Sequence, residues 1–147
     1  MDSLLIKINA GGRLEGYPIK YSPASITNPT VRFIVFDDQN RTVAKLLMLI
    51  YITPRRHTWE PKEDCIFVQS IFNVSGYKGL GGDLMRLVID EAKRLRFPIR
   101  LTAASQAPTI HRLYNFYERL GFAPVENTKK EYEDEFKTES QDYRYAL

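Results

Sequence analysis

Ile66-Phe67-Val68-Gln69-Ser70-Ile71-Phe72-Asn73-Val74-Ser75-Gly76-Tyr77-Lys78-Gly79-Leu80-Gly81-Gly82 is the stretch on which the reading of this chain turns. Its first part is β-branched and aromatic, as strands are. Glycines follow at 76, 79, 81 and 82, and from Leu80 onward apolar residues recur at helical spacing. A strand that empties through glycines into a helix makes an anion site. Glycine lets the backbone approach a ligand, and the first N–H groups of the helix lack intrahelical acceptors. The geometry suits the pyrophosphate of a nucleotide-bearing cofactor.

Working outward, Leu80, Leu84, Val88, Ala92 and Leu95 share one helical face with Leu87 beside them. Asp83 complements the helix dipole at the start, Arg94 and Arg96 do so at the end, and Pro98 is the expected stop. Ile99–Ala103 reads as a strand. Pro108 suits a first helical position, Ile110, Leu113, Tyr117 and Leu120 form the next helical face, and Gly121 supplies its C-terminal cap. Phe122–Val125 starts a strand and Tyr143–Leu147 ends the chain as one, with a charged, mobile link expected between them. Upstream, Leu4–Ile8, Val31–Phe36, Thr42–Thr53 and Cys65–Phe72 read as strands, with Asp37-Asp38-Gln39-Asn40 as a hairpin turn. The apolar Thr42–Thr53 run suits a sheet buried on both faces. Gly11, Gly12, Gly16, Pro18, Pro23 and Pro29 argue against a long helix over 10–30, leaving at most a short extended piece at Tyr17–Tyr21. The order β, β, β, β, α, β, α, β, β predicts an α/β (α+β) chain with a mixed, mostly antiparallel sheet. Pairing is parallel across the strand–helix–strand crossover and antiparallel before it.

The chain has 147 residues, 44% apolar and 27% charged, which fits one globular domain. No apolar run exceeds Leu46–Ile52, far short of the ~20 residues of a membrane span. The start, Met1-Asp2-Ser3-Leu4, lacks the pattern of a secretory signal, and Cys65 is alone. These features point to a cytoplasmic setting without membrane partners. Net charge is +3, but residues 126–142 carry seven acidic and three basic side chains, so that segment holds −4 and the rest +7. The two histidines, His57 in a polar loop and His111 on the second helix, lack carboxylate spacing around them, and no metal site is expected.

Three phosphate-loop patterns can be set against the glycines. A Walker loop needs Gly-Lys-Ser/Thr, but Asp83 follows Gly82. The dinucleotide pattern needs a third glycine where Leu84 stands. Gly76-Tyr77-Lys78-Gly79-Leu80-Gly81 resembles instead the acyl-CoA loop of the GCN5-related N-acetyltransferase superfamily, Gln/Arg-x-x-Gly-x-Gly/Ala, with Gly76 in the place of the usual Gln or Arg. Tyr117-Glu118-Arg119-Leu120-Gly121-Phe122 resembles the Tyr-x-x-x-Gly-Phe signature of the same superfamily, after the expected strand. The likeness runs from about Cys65 to Val125.

The resemblance implies one N-acyltransferase domain over 1–147 that uses acetyl-CoA and transfers acetyl to a primary amine. Ile71, Phe72 and Asn73 would pair with the pantetheine, and Gly76, Tyr77, Lys78, Gly79, Leu80, Gly81 and Gly82 would hold the pyrophosphate. Tyr117 would protonate the departing thiolate, a phenol's role in general acid catalysis. It is also placed as a core residue would be, between Leu113 and Leu120, and Tyr114 is its neighbouring alternative. For the base, Glu63 and Gln69 share strand parity. Cys65 reads as packing, and His57 lies in a loop suited to acceptor contact. Relatives have one or two helices between their first two strands. The Gly/Pro-rich 10–30 region departs from this, which suggests an open acceptor side suited to a protein or other macromolecular amine as well as a small one. Two further readings stand beside this one: an acetyltransferase directed to nucleic acid by the basic body, and a non-catalytic acyl-CoA-binding module. The sequence leaves the oligomeric state open.

Overall fold

A computed structural model describes residues 2–7, 14, 30–52, 61–73 and 79–147. The elements are β1 (Asp2–Lys7), β2 (Thr30–Phe36), β3 (Thr42–Tyr51), β4 (Cys65–Asn73), α1 (Leu80–Leu95), β5 (Ile99–Ser105), α2 (Thr109–Arg119), β6 (Ala123–Pro124), β7 (Lys130–Glu131) and β8 (Glu139–Tyr145). The strands form one sheet in the order β1-β2-β3-β4-β5-β8-β6, with β7 paired to β8.

The β2–β3 hairpin forms where the turn residues predict it. Asp37 Oδ1 accepts the N–H groups of Gln39 (2.9 Å) and Arg41 (3.0 Å), which holds its carboxyl below the usual range. The crossover β4–α1–β5 is parallel, and β2–β3 and β3–β4 are antiparallel, as expected. The first pairing differs: β1 runs parallel to β2, Asp2 opposite Val31 through Lys7 opposite Phe36. A parallel pair needs a connection long enough to return the chain to the same end, and the segment between Lys7 and Thr30 has that length. The expected extended piece at Tyr17–Tyr21 and the helix-poor 10–30 region lie outside the described residues.

One sheet face carries the core. Val31, Phe33 and Val35 of β2, Leu46, Met48 and Ile50 of β3, Ile66 and Val68 of β4, and Ile99, Leu101 and Ala103 of β5 are buried there beneath Leu80, Leu84, Met85, Val88 and Ala92 of α1 and Tyr117 of α2. Each of the Val, Leu, Ile and Met side chains among them contributes roughly 1.5–3 kcal/mol on full burial. The opposite face differs from the expectation of a sheet buried on both sides. There Leu47, Leu49 and Tyr51 of β3 are half-buried, because both described helices lie on the core side.

α1 ends one turn before Pro98. Arg96 takes a left-handed conformation (φ 61°), and the Phe97 N–H closes the end on Ala92 O at 3.0 Å. Glu91 is buried on this helix and accepts from Arg94. Pro108 stands just before the first residue of α2. Gly121 ends α2 at φ 100°, where a Cβ would also approach Tyr145 Cε2 at 3.1 Å, so any other residue would be strained there.

The charged link near the C-terminus is more structured than expected. Lys130 and Glu131 pair with Ser140 and Glu139, and the last strand starts at Glu139 rather than Tyr143. Its polar Glu-Ser-Gln-Asp start is held by pairing with β5 along its whole length, which apolar patterning does not reveal.

Candidate active site

The sheet opens at its centre. β4 and β5 pair only from Ile66 opposite Ile99 to Val68 opposite Leu101, although β4 continues to Asn73 and β5 to Ser105. Each strand stays paired on its other side: β4 to β3 as far as Asn73 opposite Ala44, and β5 to β8 as far as Ser105 opposite Glu139. The parting begins at a bulge. Leu47 faces Ser70 and Met48 faces Val68, so Gln69 has no opposite residue. Such an extra residue bends and twists its strand. The run from Gln69 to Phe72 is thereby left without a ladder partner on its β5 side, inside a sheet rather than at its rim. Phe72 is also exposed, at 58%. A backbone edge of this kind accepts an extended ligand bearing amides.

The N-terminus of α1 stands beside this opening. Gly79 enters it in a left-handed conformation (φ 84°), and its carbonyl accepts the Asp83 N–H at 3.0 Å. A Cβ on Gly81 would meet Phe116 Cζ at 3.7 Å and Ile71 Cδ1 at 3.9 Å, ordinary contacts. Neither packing nor backbone demands glycine at 81, and its missing side chain leaves room for a ligand. Between α1 and α2 runs a groove of about 540 Å³ lined by Asn73, Gly79, Gly81, Gly82, Arg86, Phe116 and Arg119 among others. Arg86 donates to Asp83 at 3.1 Å and Arg119 Nε to Asn115 O at 3.3 Å, both from exposed side chains. Helix N–H groups and two guanidiniums fit an anionic phosphate chain. Ile71, Phe72, Asn73, Gly79, Leu80, Gly81 and Gly82 are thus gathered at one end of the sheet. Gly76, Tyr77 and Lys78, and also His57, lie outside the described residues. Arg86 and Arg119 were missed from sequence. They look like ordinary solvent-facing helix charges until α1 and α2 are brought together.

Tyr117 is buried to 4% exposure on the helix side of the sheet, its ring 5.8 Å from that of Phe122 and 6.0 Å from that of Tyr143. Its hydroxyl meets no hydrogen-bond partner among the described residues. Burial pushes the phenol up to about 12. A buried, unpartnered hydroxyl costs about 1–3 kcal/mol, a cost that a bound polar atom would remove. Tyr114, the neighbouring candidate, is engaged: its hydroxyl donates to Glu139 Oε2 at 2.6 Å, and burial together with the Glu139 charge raises its pKa. Tyr143 is as buried as Tyr117 and is pushed up to about 12 by burial and then by the Glu118 charge. Its place in this tyrosine cluster comes from strand register and is not visible in the local sequence.

Glu63 is held on the opposite face. Its Oε1 accepts Arg100 Nε and Arg144 Nε, both at 2.8 Å, and its Oε2 accepts Arg144 Nη2 at 3.1 Å. These bonds, Arg144's foremost, bring its pKa down to about 2. A carboxylate so stabilised is a weak proton acceptor, and its bonds point to organising Arg100 and Arg144. Gln69, the other candidate base, lines a cavity of about 410 Å³ on this face with Leu49, Tyr51, Phe67, Arg100 and Asp142. Cys65 is buried, as a packing residue is. His111 is exposed on α2 with its ring against Tyr114. Among the described residues no three His, Cys, Asp or Glu side chains gather as metal ligands, and no helix is long and apolar enough to cross a membrane.

No family model and no curated protein matches the chain. Solved structures do. A histone acetyltransferase HPA2 and related acetyltransferase from Corynebacterium glutamicum aligns at TM-score 0.56 and 20% identity, over 77% of this chain and 62% of that one. Arabidopsis thaliana Naa50, solved with the bisubstrate analogue CoA-Ac-MVNAL, aligns at 0.53 and 14%, over 74% and 68%. A GNAT-family acetyltransferase from Bordetella pertussis aligns at 0.54 and 15%, over 78% and 64%. The chain spans less than two-thirds of the length of two of these three. With its central parted strands and the glycine start of α1 beside them, the chain has the fold of the GCN5-related N-acetyltransferases.

Proposed function

We propose that this chain is an acetyl-CoA-dependent N-acetyltransferase, one domain over 1–147, that passes acetyl directly to a primary amine. The observation that carries the reading is the parting of β4 and β5 after Val68 and Leu101, directly beside the glycine start of α1. Naa50 was solved with a CoA-containing analogue, which supports the choice of donor.

In this reading Ile71, Phe72 and Asn73 offer backbone to the two amides of pantetheine. Gly76, Tyr77, Lys78, Gly79, Leu80, Gly81 and Gly82 hold the pyrophosphate, and Arg86 and Arg119 add charge in place of the usual Gln or Arg at 76. The thioester then lies in the gap between β4 and β5. Tyr117 and Tyr114 are on the helix side of that gap, and the 410 Å³ cavity is on the other. The amine attacks from the cavity side, the C–N bond forms, and the C–S bond breaks. Tyr117 donates its hydroxyl proton to the departing sulfur. Of the protons on the incoming ammonium, one stays on the amide nitrogen, one replaces that of Tyr117, and one leaves to solvent. Glu63 positions Arg100 and Arg144 rather than taking the proton itself.

Calorimetry with acetyl-CoA, followed by thiol release with a panel of amine acceptors, tests the proposal. Saturable binding and acceptor-dependent thiol release are expected. Absence of acetyl-CoA binding sinks it, and binding without release to any amine leaves only an acyl-CoA-binding module.

A further inference from the structure

The cavity on the side away from the helices is lined by solvent-accessible groups of opposite charge. We propose that it holds an acceptor's α-amine together with the carbonyl or carboxylate oxygen on the adjoining carbon. The inference rests on the acetyltransferase reading above and names the substrate class of that site.

Glu63 is a single carboxylate between two guanidiniums, so the cluster keeps one positive charge over. Arg100 spends only its Nε on Glu63. Its terminal Nη groups meet no described residue, and the side chain lines the cavity. Asp142 lines the same cavity. Its Oδ1 accepts the Thr102 hydroxyl at 2.7 Å, and its Oδ2 meets no described residue. Arg100 faces Arg144 and Thr102 faces Asp142 across β5 and β8, so Arg100 and Asp142 are diagonal neighbours on one face. Such neighbours have Cα atoms about 7–8 Å apart. The Gln69 amide, at the bulge where β4 leaves β5, is a third polar group without a described partner. Leu49, Tyr51 and Phe67 supply the apolar wall.

These charges fit a dipolar ligand. An ammonium takes Asp142 Oδ2, and an oxygen one carbon away takes the Arg100 Nη groups. A lysine ε-ammonium satisfies Asp142 but brings a second positive charge beside Arg100 and gives it no acceptor. Both a free amino acid and a peptide N-terminus present the required pair, and the apolar wall favours a Leu, Met or Phe side chain at that residue.

The test is acetyl transfer by the wild-type chain to four acceptor sets: free apolar amino acids, peptides with a free apolar N-terminal residue, the same peptides N-terminally blocked but carrying lysine, and monoamines without a carbonyl. Mass spectrometry locates the acetyl group. Transfer to α-amines of the first or second set supports the inference, and the better of the two identifies the source. Preferred transfer to lysine or to monoamines overturns it while leaving the acetyltransferase reading intact. Failure to bind acetyl-CoA overturns both. In Asp142→Asn the KM for the α-amine should rise about 10-fold or more, with acetyl-CoA affinity unchanged. Thr102→Val, which removes the Oδ1 partner, should give a smaller rise. Unchanged KM in a folded Asp142→Asn overturns the role of Asp142, and if that variant does not fold, the wild-type panel still decides.

Discussion

Replacing Tyr117 by Phe removes one oxygen from a site that is 4% exposed and leaves the ring contacts with Phe122 and Tyr143 in place. Because the hydroxyl meets no described partner, its loss should leave stability unchanged or raise it by up to about 1 kcal/mol, part of the desolvation cost of an unpaired hydroxyl. For a chain of this length that is a rise in Tm of at most about 4 °C. Activity should move the other way. General acids contribute roughly 10²–10⁴-fold, and this case belongs at the low end. A thiol has a pKa of about 8.5, so its thiolate leaves without full protonation. The phenol, pushed up to about 12, has its proton in place throughout the working range but is a far weaker acid than the thiol it serves. A fall in kcat of about 100-fold is expected on these grounds, with acetyl-CoA affinity retained. Thiol-release kinetics, calorimetry and a thermal melt on the same preparation check all three. A kcat within about threefold of wild type would refute the assignment of Tyr117 as acid, since a positioned donor contributes far more. A Tm drop above about 4 °C would show that the hydroxyl bonds something in the folded chain, by the same conversion.

Gly81→Ala should fold, because its Cβ finds ordinary contacts at 3.7 and 3.9 Å, yet acetyl-CoA affinity should drop as the cradle fills. Gly121→Ala should instead lose about 1–3 kcal/mol, from φ 100° and the 3.1 Å approach to Tyr145, read as a lower melting temperature. Arg119→Ala and Arg86→Ala should each raise the KM for acetyl-CoA about 3–10-fold, weakening the salt dependence of binding, with kcat little changed. Glu63→Gln should cost about 1–2 kcal/mol at neutral pH once solvent screening of this third-exposed group is allowed for. The folded pKa of Glu63 is lowered from 4.5 to about 2, so its contribution is present above pH 4.5 and disappears as pH falls through 2. Denaturant melts of both proteins across that window should converge at the acid end.

Local features of the chain were legible where local chemistry decides them. The glycine entry to α1 follows from spacing, α1 from its apolar face, and the Asp37 turn from residues that bond their own backbone. Tyr117 was legible as a motif, but not as a buried hydroxyl without a described partner, which depends on β8 register. The parallel β1–β2 pair was hidden because pairing direction depends on the route of the connection and not on strand residues. The parting of β4 and β5 depends on a one-residue bulge at Gln69, which leaves no mark on composition. The partners of Glu63 were not legible because they stand 37 and 81 residues away. The 410 Å³ cavity was invisible for the same reason: Leu49, Gln69, Arg100 and Asp142 meet only in the folded sheet.

The most direct test of the account is a crystal structure of the chain with CoA bound. The account predicts pantetheine along β4 from Ile71 to Asn73, pyrophosphate at the start of α1, and the sulfur within about 3.5–4 Å of the Tyr117 hydroxyl, near hydrogen-bond reach of a thiolate. CoA bound away from the β4–β5 gap, or a sulfur beyond the reach of Tyr117 with the cofactor in place, would contradict it.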